Sequence, residues 1–320
     1  MALWVVPSLV SGLAITRQES SCTNPEVYKE WRSLSEDERA QYIVAVSCLS
    51  TTDSVLVPGT KRLDDFARIH SALYSDSESL LSTLAHTHTH SKTDKKSLVH
   101  LVPAFLPWHR YYLSLYALAL RSECSFTGPM PYWDWTIDAP NPAAAPVWDS
   151  TLGFGGDGVA NPENGDSCVA DGPFASWQPM YDGDSVTPRQ HCLRRTFSNG
   201  DGQSGLMMGA WYSADSVAAV MANEGFEAFA EALETGPHAG VHNSIGGDMV
   251  ARTSPNDPVF FLHHAQIDRL WTLWQQGNPN ARMNDYSASL DDVLVAQGLG
   301  GDVTVREVMS TQAGRFCYSY

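Results

Sequence analysis

The sequence predicts a mainly helical fold with long loops and a few short β-strands, on three observations. Several segments repeat apolar residues with the period of an amphipathic helix. Residues 125–213 hold much of the proline and glycine and lack that period, which is typical of irregular chain with short strands. The 320 residues contain no internal repeat and no low-complexity linker long enough to divide them. One domain is therefore favoured over two.

The helices of the N-terminal half are predicted from start signals and apolar periods. Residues 26–32 and then 36–50 are expected to be helical, because Ser35 and Glu38 have the spacing of a capping box. The apolar period predicts the next helix over 63–74. Pro107 indicates the start of a further helix that continues to position 121.

In the C-terminal half, a helix is expected over 222–234, with Gly236 and Pro237 ending it. Asp257 is a good N-cap residue and Pro258 suits the first helical position, so a last long helix should begin there. Residues 285–320 are expected to form short strands and turns.

The charge balance excludes several classes of partner. The chain has 20 Lys and Arg against 36 Asp and Glu, a formal charge of −16. Nucleic acids and anionic membrane surfaces attract clustered basic residues, whereas the basic residues here are scattered. No window approaches the roughly 20 apolar residues of a transmembrane helix. We expect no nucleic acid and no membrane among the partners.

The six cysteines lack metal-binding spacing and are predicted to form three disulfides, which favours an oxidising compartment. Cys168 and Cys192 bracket a segment rich in Gly and Pro and are the first expected pair. Residues 1–21 are expected to be an N-terminal tail or the remnant of a secretory signal, with an ordinary first strand as the alternative. A secreted, extracellular protein is therefore expected.

The histidines indicate the chemistry. His238 and His242 are four residues apart, so a helix would place both rings on one face. This spacing alone is a weak signal, but the adjacent pair His263 and His264 follows in the last predicted helix. Ala239 stands where a zinc protease carries its glutamate base, which excludes that class.

Three further histidines lie in the N-terminal half: His70 and His100 precede the helix predicted after Pro107, and His109 lies in it. The histidines therefore form two sets of three. Three neutral imidazoles for each metal, without a nearby thiolate or carboxylate, suit copper and, less specifically, zinc. The two sets are His70, His100, His109 and His238, His242, His264.

Five strings resemble the type 3 copper family of tyrosinases, catechol oxidases and hemocyanin oxygen-binding domains. They are LDDFARIH, VHLVPAFLPWHRYY, PYWDWT, HAGVHNSIGGDM and SPNDPVFFLHHAQIDRLWTLWQ. The resemblance extends from about Cys22 to Tyr320 and is closest to short fungal polyphenol oxidases. It implies a four-helix bundle that holds two copper ions, within a single tyrosinase-like catalytic domain over 22–320.

The resemblance also implies a role for each histidine. Its pattern makes His264 the ligand of the adjacent pair and leaves His263 to support the ligands or line the pocket. A substrate phenol would stack near the second copper, against His263 or His242. The implied ligands are His70, His100 and His109 for the first copper, and His238, His242 and His264 for the second.

The chain departs from the family pattern between its first two ligands. The 29 residues between His70 and His100 form a long insertion that contains the string HTHTH. These histidines belong to a polar loop, or they load copper, or one of them replaces His70 in the first copper site. They are His86, His88 and His90. Leu98 stands where many members carry a cysteine that forms a thioether to the second ligand, so no such crosslink is expected.

A further departure concerns the reaction. Ala239 follows the first ligand of the second copper, where many monophenol-hydroxylating members carry asparagine. Glu234 is the candidate for the glutamate that holds a basic water, and Asn243 could compensate for Ala239. The expected activity is therefore oxidation of o-diphenols to o-quinones by dioxygen, with weaker monophenol hydroxylation.

Four alternatives stay open. Two are close to the expected activity: a full tyrosinase, or monophenol monooxygenase, and an o-aminophenol oxidase. A hemocyanin-like oxygen carrier and a structural zinc or mononuclear site belong to other classes. Arg252, with its neighbours Val250 and Ala251, is a candidate for the pocket mouth and would favour acidic phenols, whereas His191 is expected at the surface. The substrate itself and the oligomeric state are left open.

Overall fold

The helices of the computed structural model account for most of its regular structure. The structure describes residues 22–75, 97–161, 165–201 and 203–320, so the expected N-terminal tail and the three histidines of the insertion lie outside the described residues. In chain order the helices are α1 (Glu36–Leu49), α2 (Arg62–Ser75), α3 (Phe105–Cys124), α4 (Trp135–Asp138), α5 (Ala214–Met221), α6 (Phe226–Leu233), α7 (Ala239–Ile245), α8 (Val259–Gly277) and α9 (Pro279–Arg282).

An aromatic cluster joins the long helices at the centre of the fold. Phe66 of α2 lies edge-on to Tyr112 and Tyr116 of α3, with ring centroids 5.5 Å apart in each case. Phe66 also lies edge-on to Phe261 of α8, which stacks on Tyr116 at 3.6 Å. All four rings are buried, so their contacts combine a large apolar area with favourable ring geometry. The predicted helical bundle is confirmed.

The helix predicted over 26–32 is wrong, because this segment pairs with distant parts of the chain. Strand β1 (Glu26–Val27) runs parallel to β8 (Tyr318–Ser319), and β2 (Lys29–Glu30) runs parallel to β3 (Pro131–Tyr132). Two antiparallel pairs complete the sheets. They join β4 (Gly158–Ala160) to β5 (Ser167–Val169) and β6 (Val293–Leu294) to β7 (Val303–Thr304).

The single helix predicted over 222–234 is also wrong at both ends. Asn223 interrupts it, since its side-chain amide donates to the Val220 carbonyl at the end of α5 and its own carbonyl accepts from the indole of Trp274. The helical segment does not end at Gly236 and Pro237 as predicted. Non-helical torsions at Gly236 produce a kink, and Pro237 then leads into α7. This kink allows one continuous segment to deliver residues to the site from two directions.

The three predicted disulfides are present, and one of them, Cys48–Cys124, joins α1 to the end of α3. They join Cys22 to Cys317, Cys48 to Cys124 and Cys168 to Cys192. Among the described residues, no helix has the length and apolarity needed to cross a membrane.

Asp257 lies just before α8, and its carboxylate accepts the backbone N–H of Val259 at 3.0 Å, as a capping side chain does.

Candidate metal centre

The first set of histidines converges from two helices and one turn. His70 lies on α2, His109 on the first turn of α3, and His100 on the chain that enters α3. The Nε2 atom of His70 lies 3.0 Å from Nε2 of His100 and 3.4 Å from Nε2 of His109. All three residues are buried. These separations suit nitrogens that each bind one metal ion at about 2 Å.

The hydrogen bonds of these rings leave lone pairs facing one another. Nδ1 of His70 donates to the Arg252 carbonyl at 2.6 Å, and Nδ1 of His109 donates to the Phe105 carbonyl at 2.8 Å. A neutral imidazole that donates from Nδ1 has only a lone pair at Nε2. The contact between Nε2 of His70 and Nε2 of His109 therefore cannot be a hydrogen bond, and a cation between these nitrogens would satisfy both lone pairs. The residues fit a bound metal ion.

The second set comes from the kinked segment and from α8. Nδ1 of His238 donates to the Glu234 carbonyl at 3.0 Å, and Nδ1 of His242 donates to the Met249 carbonyl at 2.6 Å. Nε2 of His242 lies 3.3 Å from Nε2 of His264, while Nε2 of His238 is buried without a hydrogen-bond partner among the described residues. Each of these rings offers a nitrogen within 4.8 Å of those of the others.

His263 belongs to the same cluster but carries its proton on the other ring nitrogen, Nε2. Its Nδ1 lies 3.2 Å from the indole Nε1 of Trp135, which can only donate. Nδ1 of His263 is therefore the acceptor, and its single proton is on Nε2. A ring in this tautomer has no lone pair to direct at the other nitrogens. His264, by contrast, keeps both nitrogens clear of protein donors, since its Nδ1 has no partner in the described part of the chain.

The two sets face each other directly. The rings of His109 and His264 stack with centroids 4.4 Å apart and planes at 14°, and those of His100 and His238 lie 5.6 Å apart. Phe105 contacts both sides, with its centroid 4.9 Å from those of His109 and His238. Two metal ions held by these sets would be neighbours, as a dinuclear centre requires.

Burial keeps the cluster uncharged at neutral pH. Desolvation lowers the pKa of His70 and of His242 to about 4, although a backbone carbonyl bound to each ring opposes the shift. Desolvation and mutual repulsion hold the pKa values of the other cluster members well below their usual range; these are His100, His109, His238, His263 and His264. Neutral imidazoles are the form that binds metal.

The side chain of Glu234 contacts His100 at Nδ1, the ring nitrogen on the side away from the other histidines of its set. One of its carboxylate oxygens lies 3.0 Å from Nδ1 of His100 and accepts the backbone N–H of Leu101 at 2.9 Å. Leu101 has a φ of 54°, a left-handed conformation that is uncommon outside glycine, so this bond also holds a constrained turn. Burial raises the pKa of Glu234 to about 8, against the Leu101 N–H, which lowers it.

A cavity of about 350 Å³ opens onto the cluster. Its floor includes four histidines from both sets, namely His70, His100, His238 and His242. Ala239 and Asn243 are on its wall, whereas Glu234 lines a different cavity of about 180 Å³. The structure therefore does not bring Glu234 and Asn243 to one cavity. His263 packs against His238 and Trp135 and is not on the cavity wall.

Sequence reasoning missed four residues that line this cavity, and it misplaced His191, which does not line it; the four are Tyr74, Asp184, Met249 and Ser254. Tyr74 lines the cavity one helical turn after His70, a spacing that could have revealed it. Asp184 also lines it, but it comes from the irregular region, where no periodic signal exists. The expectation that His191 lies at the surface is wrong. Its side chain is 6% exposed, and its Nε2 lies 2.8 Å from a carboxylate oxygen of buried Asp248.

A helical core with two facing sets of buried, neutral imidazoles defines a dinuclear metal protein. Residues 60–277 match the common central domain of tyrosinase, so the chain belongs to the tyrosinase family. Its cofactor is accordingly a dinuclear copper centre, and it is an oxidoreductase of that family.

Relatives and solved structures agree with this assignment. The chain is 37% identical to tyrosinase ustQ of Aspergillus flavus, over 98% of this chain and 84% of that protein. It is 30% identical to N-acetyl-6-hydroxytryptophan oxidase ivoB of Emericella nidulans, over 95% and 94% of the two chains. A single-site mutant of the polyphenol oxidase from Thermothelomyces thermophila has a similar structure, with a TM-score of 0.72 and 28% identity over 92% of this chain and 88% of that chain.

Proposed function

We propose that the chain oxidises o-diphenols to o-quinones with dioxygen as the acceptor, and hydroxylates monophenols more weakly. The observation that carries the proposal is the pair of facing histidine sets that open onto one cavity. Each of two diphenols loses two electrons and two protons. One dioxygen takes up these four electrons and four protons and becomes two water molecules. Two bound copper ions would each carry one electron from the diphenol to dioxygen in every two-electron step.

The tautomers of four rings support the assignment of the residues that would hold the copper ions. We assign His70, His100 and His109 to the first ion and His238, His242 and His264 to the second. Backbone carbonyls orient four of these rings through Nδ1, and the carboxylate of Glu234 orients His100. His263 would support the centre through its contact with His238. His242 is the cavity-lining ring of the second set on which a substrate phenol would stack.

The preference for diphenols rests on the cavity wall beside His238. A monophenol must lose its proton before its ring is hydroxylated, which needs a base or a held water. The methyl group of Ala239 cannot bind water, and Glu234 is not in this cavity. Asn243, next to His242, is a neutral side chain on the wall that can hold a water there. A diphenol needs less help, because its two hydroxyls can engage both metal sites.

The relative from Emericella nidulans widens the range of substrates worth testing. Its name gives a hydroxylated indole as its substrate, so hydroxyindoles and o-aminophenols stay among the candidates for this chain. We also propose that residues 22–320 form one catalytic domain of a secreted protein. The three disulfides support secretion, because such bonds persist mainly in oxidising compartments.

The test is an assay of the copper-loaded chain with a catechol, the matching monophenol and an o-aminophenol. We expect coloured quinone from the catechol, with one dioxygen consumed for every two catechols, and a slower reaction of the monophenol. Dioxygen binding without quinone would instead indicate an oxygen carrier. Metal analysis that finds one zinc ion in each chain would contradict the proposal.

A further inference from the structure

The mouth of the substrate cavity carries a pair of opposite charges. Arg252 and Asp184 both line it, with Nε of the arginine 3.6 Å from a carboxylate oxygen of the aspartate. Among the described residues that line this cavity, Arg252 is the arginine and Asp184 is the carboxylic acid side chain, and no lysine or glutamate is present. A charged group on a substrate in this cavity would therefore find these two side chains as its charged partners.

Arg252 is fixed in position relative to the metal centre. Its backbone carbonyl accepts the proton on Nδ1 of His70, and its guanidinium lies over the ring of Tyr74, 4.9 Å from the centroid. The Tyr74 ring in turn lies 4.9 Å from that of His100. The positive charge is thus held on the cavity wall near the first histidine set, where a cation on an aromatic face is stabilised.

Asp184 is the outer and looser member of the pair. Its side chain is 65% exposed, against 35% for Arg252, and the 3.6 Å separation exceeds that of a hydrogen bond. Exposed ion pairs of this kind contribute little, so another carboxylate could displace Asp184 from the guanidinium at small cost. A guanidinium binds carboxylates through two parallel N–H donors when geometry allows.

We propose that Arg252 selects phenols that carry a carboxylate on a short side chain, and that Asp184 competes with that carboxylate. The inference deepens the proposed function and rests on it. The phenolic ring lies over the floor histidines, and the carboxylate leaves the ring toward the wall that Arg252 and Tyr74 form. Asp184 weakens this selection, because it occupies the same guanidinium in the absence of substrate.

The experiment compares 3-(3,4-dihydroxyphenyl)propanoate with its uncharged amide, which has nearly the same shape. With the copper-loaded chain, we expect the ratio of kcat/KM for acid over amide to be about tenfold, the effect of one charge-assisted hydrogen bond at a partly exposed site. Arg252→Gln should bring this ratio close to one. Asp184→Asn should raise it above the wild-type ratio. Anaerobic binding of both ligands to the chain with its copper kept reduced, measured by calorimetry, should give the same order, because reduced copper cannot oxidise them.

A matched control separates local recognition from overall charge. Arg189 is 80% exposed, pairs with Asp182 and is not on the cavity wall, so Arg189→Gln removes one positive charge elsewhere and should keep the ratio. Equal ratios in the wild type and in Arg252→Gln would overturn the inference. So would a wild-type preference for the matching amine that Asp184→Asn abolishes. Failure to oxidise either ligand would instead refute the proposed function.

Discussion

The indole N–H of Trp135 donates to Nδ1 of His263 at 3.2 Å, and this bond gives His263 the opposite tautomer to its neighbours. Nδ1 of His238 and of His242 donates, which leaves Nε2 free to bind metal. We therefore propose that the adjacent residues His263 and His264 differ in role, because Trp135, well over a hundred positions away, binds only the first of them. The metal content of matched variants can test this difference.

His264→Gln should lose one of the two copper ions, whereas His263→Gln should keep both. Glutamine at position 263 retains an oxygen that can accept from Trp135, so the packing there is largely preserved. Copper analysis after dialysis, with circular dichroism as the control for folding, measures the outcome. Loss of copper from His263→Gln alone would reverse the two assignments.

Glu234→Ala should weaken copper binding by about 10- to 100-fold, the usual effect of removing the group that orients a ligand imidazole. Its carboxylate faces His100 and also holds the left-handed turn at Leu101. Glu234→Gln keeps an acceptor oxygen and should retain most of the affinity. Competition with a chelator measures the affinities. Glu231→Ala is the control, since Glu231 lines the same 180 Å³ cavity, and its loss should change nothing.

Local spacing predicted the parts of the site that one helix segment delivers. His238 and His242 share a face, and the tautomers of both are set by carbonyls within seven residues. The pair Cys168–Cys192 was predictable for the same reason, because only 24 positions separate the two cysteines. Short-range patterns of this kind contain most of the information that places these residues.

Long-range pairing explains what the sequence could not predict. Residues 26–27 form a strand because their partners are Tyr318 and Ser319 near the other end of the chain. His191 is buried because its ring pairs with the buried carboxylate of Asp248. Asp184 lines the cavity although it comes from a region without periodicity. In each case a partner far along the chain overrides local preference. The tautomer of His263 is likewise set by a distant partner, Trp135.

Ala239→Asn should raise the ratio of monophenol to diphenol oxidation rates. Ala239 is on the cavity wall next to His238, so an amide there could hold the water that accepts the phenol proton. Steady-state rates on a monophenol and its catechol measure the ratio. Ala251→Asn places the same amide elsewhere on that wall and is the matched control. An unchanged ratio in Ala239→Asn would contradict the proposed reason for diphenol preference.

Asp64→Asn should gain stability relative to the wild type as pH rises from about 4 to 6.5. Burial raises the pKa of Asp64 from 3.8 to about 6, although it accepts backbone N–H groups from Met180 and Lys61. The folded chain therefore binds more protons than the unfolded chain in this window, and stability from Asp64 falls with rising pH by up to roughly 3 kcal/mol. Asparagine does not titrate, so the difference between the two proteins isolates this group.

Denaturant unfolding at several pH values measures that difference. Asp53→Asn is the control, because Lys61 lowers the pKa of Asp53 below its ordinary value of 3.8, so its contribution should be nearly constant across this window and be lost only at lower pH. A stability difference for Asp64→Asn that does not change with pH would show that Asp64 is not desolvated in the folded protein.

Arg110→Met should destabilise the fold by about 3–5 kcal/mol, because it leaves the carboxylate of Asp268 buried without an opposite charge. That carboxylate also accepts the hydroxyl protons of Tyr318 and Tyr320, both at 2.6 Å. Tyr318→Phe removes one such bond and should cost less, roughly 2 kcal/mol.

The double variant Arg110→Met with Asp268→Leu separates charge from packing. If the uncompensated carboxylate causes the loss, the double variant should be more stable than Arg110→Met alone, because no charge is then buried. If the loss comes from the packing of the guanidinium on Trp271, the second substitution should not restore stability. Asp268 lies one helical turn after His264, so copper retention measured beside thermal unfolding shows whether this network also positions that ligand.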